Sequence, residues 1–235
     1  MQEPDLDQLN TATPEQWANI LAGPPEQAAA WLLAAARHGV TAAQLRCGHL
    51  LLAGKGTAPD AVEALRWFRE AADNGDAMAM NMVGRCYENG WGVEVDMAIA
   101  SYWFRRAAAR GNDWGMYNYA TSLALARGAP CDRSEALSWL RKAADLGHAK
   151  AMNLLGGFYE DGWEVEADEE AALDLYRRAA EGGDFRGQFN YARLLTARGR
   201  RDEAAEWLRR VPETATPAFM EKVRAFLQGT EAPHT

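Results

Sequence analysis

Apolar residues recur along most of the chain at intervals of three and four, in stretches of about a dozen residues separated by short polar breaks. Residues 77–112 show the pattern. AMAMNMVGRCYENG reads as one amphipathic helix and MAIASYWFRRAAARG as a second. Gly90 and Gly92 interrupt the first, because glycine tolerates the positive φ that ends a helix. Asp96 stands where the second needs an N-cap, and Gly111 where it needs a C′ residue. Asn112 then opens the next helix.

This two-helix phrase repeats. Ala-Ala pairs begin at residues 35, 71, 107, 143 and 179, a constant step of 36. Gly39, Gly75, Gly111, Gly147 and Gly183 keep the same step, as do Trp31, Trp67, Trp103, Trp139 and Leu175. Asp60, Asp96, Asp132 and Asp168 form an N-cap column, with Glu63 and Glu135 three residues on as in a capping box. Gly48, Gly84 and Gly156 form another column, filled by Ala120 and Ala192 in the remaining units. Asp76, Asn112, His148 and Asp184 are candidate caps for the first helix of each unit. Neither helix can bury its apolar face alone, so the hairpins must stack into one core.

The expected fold class is all-α: an αα-solenoid of about six 36-residue helix-turn-helix repeats with a C-terminal capping helix. Its expected parts are a disordered tail 1–10, a degenerate repeat 11–40, and full repeats at 41–76, 77–112, 113–148 and 149–184. A shortened repeat 185–212, a capping helix 213–228 and a disordered tail 229–235 complete it. Thr13 and Pro14 open the degenerate repeat. Thr216 and Pro217 open the capping helix, which carries Phe219, Val223, Phe226 and Leu227 on one face.

Composition narrows the function. The net charge of −8 and pI near 5.1 exclude the basic footprint of a broad nucleic-acid binder. No apolar run is long enough to insert in a membrane, and the acidic start MQEPDLDQLN lacks the character of a secretory signal, so the expected location is the cytoplasm. Three cysteines without a CxxC pair fit reduced thiols, and Cys47 and Cys86 fall in apolar columns. Four scattered histidines, no HExxH, no GxSxG and no phosphate-loop motif leave no expected metal, cofactor or catalytic group.

The pattern AxxxxxxGxxYxxGxGVxxDxxxAxxWxxxAAxxGx, seen at Ala77 to Asn112, resembles the Sel-one-like repeat family of tetratricopeptide-like solenoids. The resemblance covers roughly residues 12–212. Ala126 and Glu164 depart from it at loop glycine positions, and Ala120 and Ala192 at the helix glycine. It implies a right-handed superhelix and a non-catalytic adaptor that binds a protein or extended peptide on the concave face lined by the first helix of each repeat. Family columns point Met78, Asn81, Met82 and Arg85 into that groove, then Trp114, Tyr117, Asn118 and Thr121, then Lys150, Asn153 and Leu154, then Arg186, Phe189, Asn190 and Arg193.

The residue types there suit recognition. Asparagine both donates and accepts, so it can hold a peptide unit. Trp114, Tyr117 and Phe189 are of the rigid aromatic type that anchors interfaces, and Lys150, Arg186 and Arg193 suit an acidic segment or a carboxylate. A second regularity of 72 residues pairs GWGVEVD at 90–96 with GWEVEAD at 162–168. It follows either from duplication of a two-repeat ancestor or from a surface of alternating character. Trp91 and Trp163 in those loops form a rival edge for a partner or a dimer. Two other functions remain open: a dedicated inhibitor or immunity-type partner of one enzyme or toxin, and a self-assembling structural protein. A homo-oligomer is compatible with the sequence but not indicated by it.

Overall fold

The computed structural model describes residues 4–231. They hold fourteen α-helices, one 3₁₀ turn and no strand. The chain divides into two compact units, one ending at Cys131 and one beginning at Asp132. The first contains α1 (Leu6–Thr11), α2 (Pro14–Ala22), α3 (Pro25–Arg37), α4 (Thr41–Ala53), α5 (Ala61–Asp73), α6 (Ala77–Asn89), α7 (Met97–Ala109) and α8 (Asp113–Ala124). The second contains α9 (Arg133–Asp145), α10 (Ala149–Asp161), α11 (Glu169–Glu181), α12 (Phe185–Ala197), α13 (Arg201–Arg210), the 3₁₀ turn Val211–Glu213 and α14 (Pro217–Glu231). Within the first unit α2 to α8, and within the second α9 to α13, each pack chiefly on their sequence neighbours, as in a solenoid, while α1 packs on α3 and α14 on α12.

The columns do the work their chemistry suggested. Asp60, Asp96, Asp132 and Asp168 each accept the backbone N–H three residues on, at 2.8–2.9 Å. The second half of the expected capping box is missing. Glu63 instead turns to Arg66, and Glu135 accepts from Trp139 Nε1 at 3.1 Å. Asp76, Asn112 and Asp184 cap through oxygen, and His148 caps through Nδ1 at 3.1 Å.

The glycine and alanine columns set helix spacing. A Cβ at Gly48 would lie 2.3 Å from the Phe68 ring, and one at Gly84 2.6 Å from Phe104. Gly115 and Gly187 would meet the alanine pairs the same way, 2.6 Å from the Cβ atoms of Ala107 and Ala179. Phe68, Phe104 and Phe158 are fully buried, each stabilising its hairpin by about 2–3 kcal/mol.

The ends differ from the sequence expectation. Helix α1, Leu6–Thr11, falls mostly within the tail 1–10 expected to be disordered, and forms under a capping box between Asp5 and Gln8. The capping helix runs on to Glu231, so it takes in the first part of the tail expected at 229–235, whose remainder, like residues 1–3, lies outside the described residues. Phe219, Val223 and Phe226 face the core, but Leu227 is 39% exposed.

Candidate functional site

In the first unit the first-helix face is built by α6 and α8. Asn118 Nδ2 donates to Asn81 Oδ1 at 2.9 Å, forming a rung between the helices. Asn81 is only 2% exposed, so it supports the face from beneath and does not offer a free amide to a partner. Met82 is likewise buried. Trp114, at 37% exposure, stands out from the start of α8. Tyr117 and Asn118 are half-buried, and Thr121 spends its hydroxyl donor on the Tyr117 carbonyl at 2.8 Å. Arg85 lies over the Trp91 ring at 4.9 Å. The expected groove residue and the expected rival edge therefore touch and form one surface.

The second unit repeats the rung. Asn190 Nδ2 donates to Asn153 Oδ1 at 2.8 Å, between α12 and α10. Here the 72-residue period has a structural meaning. Within each unit the two asparagines are 37 residues apart, one more than the repeat, and that offset is the one that hydrogen-bonds.

Two expectations about this unit need correction. Phe189 is 1% exposed, because Phe219 and Phe226 of α14 meet its ring edge-on at 5.4 Å each; it is a core residue. Arg193 is not a spare cation either. Its Nη2 donates to both Glu160 oxygens at 2.7 Å, and Tyr176 donates to the same carboxylate at 2.8 Å. Burial pulls the Glu160 carboxyl up, but those bonds and the charges of Arg193 and Lys222 outweigh it and hold it below the usual carboxylate range. Sequence reasoning missed Glu160, whose only signal is its 33-residue offset from Arg193 across neighbouring first helices.

Further cations lie near the capping helix. Arg186 is exposed and lies over Phe185 at 4.5 Å and Phe219 at 5.9 Å. Lys222 Nζ of α14 lies 5.4 Å from the Phe189 ring and 5.8 Å from Phe219. Lys150 is half-buried in α10. Beneath them, burial pushes the Asp184 carboxyl up, opposed by the Gly187 N–H and by the charges of Arg186 and Lys150. Lys222 was missed because it belongs to the cap, outside the repeat columns. Trp163 is 37% exposed, with Phe158 edge-on at 5.6 Å and Arg133 over it at 4.5 Å. Among the described residues no cluster of His, Cys, Asp or Glu could hold a metal, and no helix is long and apolar enough to cross a membrane.

Comparison with known proteins agrees with this architecture. No curated protein matches the sequence. A Sel1 repeat protein from Oxalobacter formigenes is 26% identical, with a TM-score of 0.77 over 90% of this chain and 85% of its own. The protective antigen c5321 of uropathogenic Escherichia coli, which displays an SLR fold, is 27% identical with a TM-score of 0.73 over 86% of this chain. The present chain covers only 45% of that antigen. Immunity protein Pa5087 from Pseudomonas aeruginosa shares the fold at 20% identity and a TM-score of 0.54, over 73% of this chain and 64% of its own. The Sel1 repeat model matches residues 25–40, 41–76, 77–112, 115–148 and 149–184, and the chain belongs to the Sel1 repeat family.

Proposed function

We propose that this protein is a non-catalytic adaptor that binds a partner protein or extended peptide along the first-helix face of its units. Sel1 repeat proteins mediate protein–protein interaction. The observation that carries the reading is the paired asparagine rung, flanked in one unit by the exposed Trp114 and in the other by Arg186 and Lys222. An amide rung fixes the spacing of two helices and leaves one amide edge of Asn118 and of Asn190 to face a bound backbone. Trp114 is the aromatic anchor type, and the cations beside Phe185 and Phe219 suit an acidic stretch of the partner. The half-exposed Arg85–Trp91 pair extends this surface in the first unit.

The test is position-resolved crosslinking. A photoreactive residue at Trp114 or Arg186 should capture the same partner that a residue at Asp145, on the outward end of α9, does not. Equal capture from all three positions, or capture from Asp145 alone, removes the first-helix face from the account. The immunity-type reading has the fold in common with Pa5087, and it predicts one tight one-to-one complex where an adaptor gives several weaker ones.

A further inference from the structure

The repeats supply their own control for the outward face of the second helices. Around α7 that face carries Val95 of the preceding loop, then Ala98, Ile99, Tyr102, Arg105 and Ala109, all of them exposed. The same columns read Pro59 before α5 and Val62, Glu63, Arg66, Arg69 and Asp73 in it. They read Ser134, Glu135, Ser138, Arg141 and Asp145 in α9 after Cys131, and Glu170, Ala171, Asp174, Arg177 and Glu181 in α11 after Ala167. Every sister face carries at least two acids; α7 carries none. On α5 and α11 an arginine of these columns is held by acids of its own helix. Arg66 pairs with Glu63 and Glu70, and Arg177 with Asp174 and Glu181. Arg69 and Arg141 donate to Tyr87 and Tyr159, but the residue in that place for Arg105 is Leu123. Val95 just before α7 is 61% exposed, and in the helix Ile99 is 36% and Tyr102 57% exposed. The loop before α7 lies against the start of α5, where Val62 is 67% exposed and enlarges the patch.

We infer that the outward face of α7 is an interface for a second copy of this chain, packed antiparallel about a two-fold axis near Ile99. The charges decide for a second copy. Exposed Glu94 stands before the N-terminus of α7 and exposed Arg105 near its C-terminus, with apolar residues between them. An antiparallel pairing lays Glu94 of each copy against Arg105 of the other, and Val95 against Tyr102, so one face supplies both halves of the contact. The helix dipoles also run opposite in that arrangement. The contact is centred in the first unit and does not use the first-helix face, so it stands or falls independently of partner binding.

Sedimentation velocity at protein concentrations up to about 1 mM populates even a millimolar association. The expected result is a concentration-dependent dimer that Ile99→Arg abolishes. Arg105→Glu and Glu94→Arg should each weaken it about tenfold, since each creates two like-charge contacts, and the double variant should restore it to within about threefold. All three substitutions are on exposed positions, and each variant should keep the wild-type melting curve by circular dichroism. A protein that stays monomeric throughout, or a dimer indifferent to Ile99→Arg, overturns the inference. Loss in both single variants without rescue in the double overturns the antiparallel register.

Discussion

The loop glycines offer a test in which one column gives opposite signs. Gly56, Gly92 and Gly128 hold φ of 71–73° and approach the start of the preceding second helix so closely that a Cβ would overlap its backbone. At Gly92 that atom would lie 2.2 Å from the Ala61 oxygen and 2.4 Å from its carbon. Gly92→Ala therefore carries two costs. The left-handed conformation costs an alanine about 1 kcal/mol. Relieving a backbone overlap moves the whole loop, which brings the total to about 3 kcal/mol. Gly90→Ala separates the two. Its φ is 73°, but the nearest atom is the Val95 side chain at 3.2 Å, so only the first cost applies. The fourth member of the column is Glu164, a non-glycine residue already held at φ 57°. Glu164→Gly relieves that strain and should stabilise by about 1 kcal/mol. Urea unfolding followed by far-UV circular dichroism measures all three, and melting shifts should follow at about 2–4 °C per kcal/mol for a chain of this size. Equal losses for Gly92→Ala and Gly90→Ala would refute the close-approach argument, and destabilisation by Glu164→Gly would refute the strain argument.

Three further outcomes are expected. Asn81→Ala should cost about 1–2 kcal/mol by removing the partner of Asn118 Nδ2, and a double-mutant cycle with Asn118→Ala should show coupling of about 1 kcal/mol, read by urea unfolding. Burial raises the folded pKa of Asp184 above its unfolded value, so its charge costs stability above that unfolded value and the cost disappears as pH falls below it. Asp184→Asn keeps the cap on Gly187 and should raise the melting temperature at neutral pH, with the gain shrinking towards pH 4; a loss of equal size at both pH values would contradict this. Burial pushes the Cys47 and Cys86 thiols up to about 12, so a thiol reagent should label Cys131 at once and reach the other two only on unfolding.

The solenoid was legible in the sequence because backbone geometry wrote it there. A positive φ favours glycine, a helix start favours Asp or Asn, and a close helix contact favours glycine or alanine. Each preference recurs every 36 residues, so the columns reinforce one another. The proposed recognition face was legible only as a set of positions. Asn81 and Phe189 occupy the right columns, but their exposure depends on what lies over them. Phe189 is covered by α14, a helix outside the repeat that no column describes. The Arg193–Glu160 pair joins residues from neighbouring repeats at an offset that periodicity does not mark. The outward face of α7 was hidden for the opposite reason: its apolar residues read as helix core until their exposure is known and the sister repeats are compared.

Partner capture tests the central claim most directly. Wild-type protein and a Trp114→Ala, Arg186→Ala variant, which leaves the Asn81–Asn118 rung intact and is checked for equal helical content and melting temperature, are compared as baits in native lysate, with mass-spectrometric identification and affinity measured on the purified candidates. The account predicts that a defined set of proteins binds the wild type and that their affinity for the variant falls by at least about a hundredfold, as expected when an aromatic anchor and a cation are removed together. Unchanged affinity for the variant would contradict it.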